Sequence, residues 1–215
     1  YEGKIFWGDN YFHEMYVLHS TYLHNLNAGS KDFSKEYFSF QIRMQEIIIV
    51  LFFRELFALL STHQYKKLVP SDDNSKITTD EFIKVFDMEK LFDYLENAKN
   101  PYTTYLKIHY LLYYFKENSI TEEKYYEFKK ELYKIIYDVM RHEAFYFIVN
   151  TIHLIFIKII PVNKKFYEEI FELSKLFCEL KIFPNKKVPY LAPGPFKDMF
   201  GPAAILGELD WAENF

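Results

Sequence analysis

The sequence predicts an all-α fold: an irregular bundle of about six helices, with two long central helices and an extended Pro/Gly-rich aromatic C-terminal tail. Three observations carry this. Apolar residues recur at steps of three and four along most of the 215 residues, which is the period of an amphipathic helix. No stretch alternates apolar and polar residues between turn signals, as a half-buried strand would. The Pro and Gly residues sit between the periodic stretches or crowd into the region beyond Phe183, where they break helices least. Half of the chain is hydrophobic and a quarter is charged, so a substantial core is within reach.

Taken in order, residues 1–10 read as an irregular arm and Tyr11 to Leu26 as a first helix. Asn27-Ala-Gly29 stops it, Gly being the usual residue just past a helix end. Ser34 to about Leu68 is a second, long helix that ends ahead of Pro70, and Ser71 to Ser75 is a polar loop. A third helix opens at Thr78, with Glu81 three residues on as a capping box needs. It carries Phe82, Val85, Phe86, Phe92 and Leu95 at helical spacing. Asn100-Pro101 starts a fourth helix, Pro being tolerated at a first helical position, and this helix runs to about Lys116.

The fifth helix is the organising one. Ser119-Ile-Thr-Glu122 supplies its start signal, and neither Gly nor Pro follows until Pro161. As a single rod it would be about 60 Å long, charged in its first half and dry from Ala144 to Ile157. A sixth helix begins near Asn163, with Phe166, Ile170, Leu173, Phe177 and Leu180 forming a one-sided stripe. Residues 1–183 thus make a helical bundle domain. Residues 184–215 make a tail in which five prolines are interleaved with Tyr190, Phe196, Phe200, Trp211 and Phe215. Such a tail is too apolar for disorder and is expected to lie extended, with at most a short helix around Ala203 to Trp211. It would dock on an apolar surface of the bundle itself or of a neighbouring subunit.

Several function classes are disfavoured by composition. A net charge of −4, with Arg only at 43, 54 and 141, argues against a nucleic-acid partner, which demands a dense basic face. The Lys pairs are scattered and read as solvated surface. One cysteine, Cys178, cannot form an internal disulfide. The apolar runs Ile47 to Phe53 and Ala144 to Ile157 fall short of the roughly 18 residues of a membrane span. No span is expected, although a membrane-associated assembly stays open. Abundant Phe, Tyr, Ile and Lys beside scarce Gly and Arg is the residue mix of an AT-rich genome. The chain begins with Tyr rather than Met and reads as a processed or partial product.

No catalytic set and no cofactor motif emerge. No Glu is followed by His three residues later, as di-metal helix bundles require. His13, Glu14 and His19 have the wrong spacing for a zinc-protease helix. Arg54-Glu55 and the Arg141-His142-Glu143 cluster interrupt the two most apolar helices. Buried charges are costly unless paired, so Arg54, Glu55, Arg141 and Glu143 are expected to form a buried polar cluster, meeting each other or a backbone group. Asn150 and His153, one turn apart, read as satisfied core polars.

One stretch carries a motif. In Pro70 to Glu81, the residues Asp72, Asn74, Ile77 and Glu81 fall at the third, fifth, eighth and twelfth positions of a twelve-residue loop between helices. The stretch resembles an EF-hand calcium loop. It departs from that family at the first position, where Pro70 has no side-chain oxygen, and at the sixth, where Ser75 replaces the usual Gly. The resemblance implies a degenerate, calcium-responsive binding module with Asp72, Asn74 and Glu81 as weak metal ligands.

The leading expectation is a non-catalytic accessory subunit of a larger multiprotein complex. Its partners would be other protein subunits, and Tyr190, Phe196, Phe200, Trp211 and Phe215 would be its anchors, since interfaces favour aromatics in desolvated pockets. The alternatives are the EF-hand-like module and a helical enzyme or carrier with an apolar ligand cavity. Such a subunit with this composition would suit an organellar, mitochondrial complex.

Overall fold

The computed structural model describes residues 9–25, 33–66, 82–161, 163–182 and 193–213. Among them every regular element is helical: α1 (Asp9–Asn25), α2 (Phe33–Lys66), α3 (Met88–Asn97), α4 (Thr103–Glu117), α5 (Glu122–Ile135), α6 (Arg141–Leu154), α7 (Phe166–Glu179), α8 (Pro193–Leu206) and α9 (Leu209–Glu213). A π-helical turn, Ile155–Ile159, continues α6. The chain divides into two compact units between Tyr113 and Tyr114, inside α4.

In the N-terminal unit, the 34-residue α2 packs against α1. Its residues Phe53, Leu56, Phe57 and Leu60 enter one apolar cluster with Met88, Phe92 and Leu95 of α3 and Leu106 and Tyr113 of α4. Phe12 of α1 is fully buried and meets Tyr102 edge-on at 4.9 Å. The Tyr11 and Tyr102 hydroxyls share a hydrogen bond of 3.0 Å.

The third helix foreseen from Thr78 is interrupted. Thr78 and Glu81 lie outside the described residues, and a helical turn at Phe82–Ile83 gives way to a bend before α3. Asp87 caps α3 by accepting from the Lys90 backbone N–H at 3.1 Å. The break turns Val85, one of the expected stripe residues, out to 76% exposure. The helix after Asn100-Pro101 starts two residues later than its signal. Asn100 first closes a side-chain turn onto the Tyr102 N–H, and its carbonyl accepts from the Thr103 hydroxyl.

The C-terminal unit corrects the reading of a single rod from Ile120 to Pro161. Residues 136–138 form a turn, with the Asp138 N–H bonded to the Ile135 carbonyl at 2.8 Å, and Met140 is extended. The reason is one of partners. α7 has 14 residues, about 21 Å of helix, and cannot cover a rod three times its length. With the turn in place, α5 and α6 each bury a face: Tyr125, Phe128 and Leu132 from one, Phe147, Ile148 and Ile152 from the other. Intrinsic helix propensity at Ile136 to Met140 yields to that packing. The cap of α5 is Thr121, whose hydroxyl accepts from the Lys124 N–H, rather than Ser119.

The stripe of α7 is buried at Phe166, Ile170, Leu173 and Phe177. Beyond it, Pro193–Leu206 and Leu209–Glu213 are helical, which corrects the extended reading for that part of the tail; residues 184–192 and 214–215 lie outside the described residues. Pro193 and Pro195 occupy the first turn of α8, where a missing N–H costs nothing, so only Pro202 falls in its interior. α8 lies along α7, with Met199 and Ala203 buried and the Ser174 hydroxyl bonded to the Ile170 carbonyl at 2.8 Å. Gly207, at φ 82°, ends α8: its N–H reaches Ala204 O and that of Glu208 reaches Ala203 O. This pair of bonds is a Schellman motif. The same closure ends α3 at Lys99 and α7 at Lys181, non-glycine residues held at φ 52° and 50°.

Candidate functional site

The residue that sequence reasoning passed over is Lys116. It lies in the last turn of α4, one helical turn after the buried Leu112 and Tyr113, so the helix carries its side chain inward. Its ammonium donates to Asn150 Oδ1 of α6 at 2.8 Å, and the Asn150 amide in turn donates to the Tyr146 carbonyl at 2.7 Å. Burial lowers the Lys116 pKa to about 8, because a low-dielectric surrounding disfavours the charged form. His153, one turn beyond Asn150, is held below the ordinary imidazole value by burial. The Asp198 carboxylate of α8 opposes that shift and the Lys116 ammonium adds to it. Three helices thus bring a lysine, an amide, an imidazole and a carboxylate together.

The backbone beside this cluster is unusual. The π-helical turn starts two residues after His153, with the Ile160 N–H bonded to the Ile155 carbonyl at 3.0 Å. Such turns insert one extra residue into a helix and recur at functional sites. The sequence signal for Lys116 was its register: a Lys at the position that continues the Tyr105, His109, Leu112 face, whose other members are buried.

A second polar group ties α5 to α7. Glu169 accepts from the Tyr125 hydroxyl at 3.0 Å and from the Lys129 ammonium, and Asn163 donates to Glu122 at 2.7 Å. Burial, with Glu169 beside it, drives the Tyr125 pKa far up, keeping the phenol neutral as a donor. Farther along, Tyr137 donates to Glu179 at 3.3 Å. The pattern is a seam joining two helices, with each phenol spent on a carboxylate.

Of the residues singled out from sequence, Arg54 pairs with its neighbour Glu55 on α2, and the buried Glu143 lies 3.8 Å from the His142 imidazole on α6. Arg141 is exposed. The two pairs belong to different units. Asp72, Asn74 and Glu81 lie outside the described residues, as do Tyr190 and Phe215. Trp211 stands edge-on to Phe171 of α7 at 5.0 Å and stacks on Phe200 at 5.4 Å, and Phe196 stacks on Phe200 at 4.5 Å while 51% exposed. Phe200 and Trp211 therefore anchor α8 and α9 to their own unit. His13 is exposed, and His19 is buried against Phe40 at 5.1 Å. Among the described residues, no three His, Cys, Asp or Glu side chains come together as metal ligands would.

The outer face of α2 has a different character. Phe38, Ile42, Ile48, Phe52 and Leu59 are 44–61% exposed, and at 100° per residue they fall within one sector of the helix. Among the described residues, no helix is long and apolar enough to cross a membrane. Compared with protein-family models, curated proteins and solved structures, the chain matches none.

Proposed function

We propose that the chain is a non-catalytic accessory subunit that assembles with other protein subunits through apolar helical surfaces. The observation that carries this is the exposed stripe of α2, Phe38 to Leu59, where five large apolar residues are 44–61% exposed. It extends over about 30 Å of helix. A row of large exposed apolar residues along one helix face, interrupted here by the exposed Gln45, is the kind of surface that interaction sites present. A partner helix laid along it would bury the rings in the manner of helix-in-groove recognition.

Among the described residues of the tail, Phe200 and Trp211 are engaged within their own unit, and Phe196, Ile205, Leu206 and Leu209 are exposed. A second reading, a helical enzyme or carrier, has one observation in its favour: the Lys116–Asn150 pair with His153 beside the π-helical turn.

The test is the native size of the chain in its own cells, for the wild type and for a double variant, Ile42→Asp with Phe52→Asp. Both changes fall at solvent-facing positions, so helix content is expected to persist. The wild type is expected to migrate as part of a larger assembly and the variant as a smaller species. A wild type that migrates as the single chain would end the proposal.

A further inference from the structure

Outward from Gln45, the exposed face of α2 repeats itself in both directions. Steps of three, four and three residues reach Ile42, Phe38 and Lys35 one way and Ile48, Phe52 and Glu55 the other, and all seven residues are exposed. At about 100° per residue they lie within about 80° of Gln45 around the helix. Arg43, Glu46 and Arg54 are turned about 100° or more away. Arg54 reaches back to pair with Glu55, whose side chain stays 57% exposed. A cation therefore closes one end of the apolar row and an anion the other.

A row of this pattern is complementary to itself when reversed. On the reading of α2 as an interaction surface, we propose that its occupant is a second copy of this chain, laid antiparallel along the face with the two-fold axis beside Gln45. That axis sets Phe38 of one copy level with Phe52 of the other, Ile42 with Ile48, and Lys35 with Glu55, each contact occurring twice. The two Gln45 amides meet at the axis, where each can donate to the other's carbonyl oxygen. A single polar residue in an apolar helix seam fixes register. Two copies running in the same direction would instead bring Lys35 to Lys35 and Glu55 to Glu55, and like charges held together are costly. An unrelated helix would have to supply the same spacing, an amide at its middle and opposite charges at its ends. This chain carries all three. The apolar surface also widens where the Phe38 end of the second copy arrives: Phe82 and Val85, 47% and 76% exposed, lie on the turn that joins Phe52 through Phe86.

The experiment measures the purified full chain alone by sedimentation equilibrium, with helix content followed by circular dichroism. The wild type is expected to dimerise with a micromolar Kd, since a two-helix contact of about 30 Å lies at the small end of stable interfaces. Lys35→Glu and Glu55→Lys should each weaken the dimer about tenfold, because two attractive pairs become repulsive. The chain carrying both reversals should regain the wild-type Kd. In a same-direction pair, neither reversal would change the sign of any contact. A monomeric wild type, a dimer indifferent to the single reversals, or a double reversal no tighter than the single ones overturns the self-pairing. Native size in cells separates this from the broader reading. A purified monomer that still migrates within a larger assembly removes the second copy and leaves the α2 face to a different subunit. A chain that dimerises when purified, and migrates in cells as that dimer alone, supports the self-pairing and removes the other subunits.

Discussion

Replacing Lys116 by Met tests whether a charge is held at a cost inside the C-terminal unit. In the folded chain the Lys116 pKa is lowered to about 8 from the reference 10.5. The unfolded state therefore binds more protons than the folded state between those two values, and stability must rise with pH across that window. Below pH 8 both states carry the ammonium and the whole penalty applies. Above pH 10.5 both are neutral and it has gone. At 1.36 kcal/mol per pH unit the gap corresponds to about 3 kcal/mol, and to about 2 kcal/mol once residual water at the part-exposed Nζ is allowed for. Met keeps the apolar stem and removes the charge together with its bond to Asn150. The offset between the two proteins at pH 7 is therefore small in either direction, and the trend with pH carries the test. Urea unfolding followed by far-UV circular dichroism should show the wild type gaining about 2–3 kcal/mol on Lys116→Met as pH rises from 8 to 10.5. Other titrating groups cancel in the difference. Parallel stability curves across that range would refute the claim that Lys116 is desolvated.

Three further outcomes follow from the helix ends, the α5–α7 seam and the lone thiol. Lys99→Gly and Lys181→Gly, at the two non-glycine positions held at positive φ, should each raise the urea midpoint by the equivalent of about 1 kcal/mol, with no change in the m-value. Tyr125→Phe removes a hydrogen bond to Glu169 and should cost about 2 kcal/mol at pH 7. Because the Tyr125 pKa is raised on folding, the wild type should lose stability as pH climbs past about 10, and the Phe variant should lose less. Burial pushes the Cys178 thiol up to about 11 from 9.0, so its alkylation by iodoacetamide at pH 8 should run about a hundredfold slower than that of a free thiol. A rate equal to that of glutathione would show the thiol to be exposed.

Much of the helical architecture is legible in the letters because the signals are local. The 3-4 stripe of α7 is buried at Phe166, Ile170, Leu173 and Phe177, and Asn100 closes the entry to α4 through its own side chain. What is not legible depends on partners distant in sequence. Nothing between Ile136 and Met140 forbids a helix. The turn there exists because α7 is too short to cover a straight rod, a fact that no window of twenty residues contains. The helices of residues 193–213 are hard to read from the letters for a related reason. Pro193 and Pro195 fall at a helix start, where proline is welcome, and counting prolines without placing them on helix positions reads the segment as extended. The Lys116 cluster joins three helices, so only the register of Lys116 on its own helix hinted at burial. Arg54 pairs with Glu55, and Glu143 lies near His142, each beside it in sequence.

The most direct measurement of the assembly claim places a photo-crosslinking side chain at Phe52 on the exposed face of α2, with Lys90 on α3 as a control at 84% side-chain exposure. Irradiation in the native cells should give one discrete protein adduct from position 52 and none from position 90, and Ile42→Asp in the same chain should abolish it. No protein adduct from position 52, or the same spread of adducts from both positions, would contradict an interaction surface on α2.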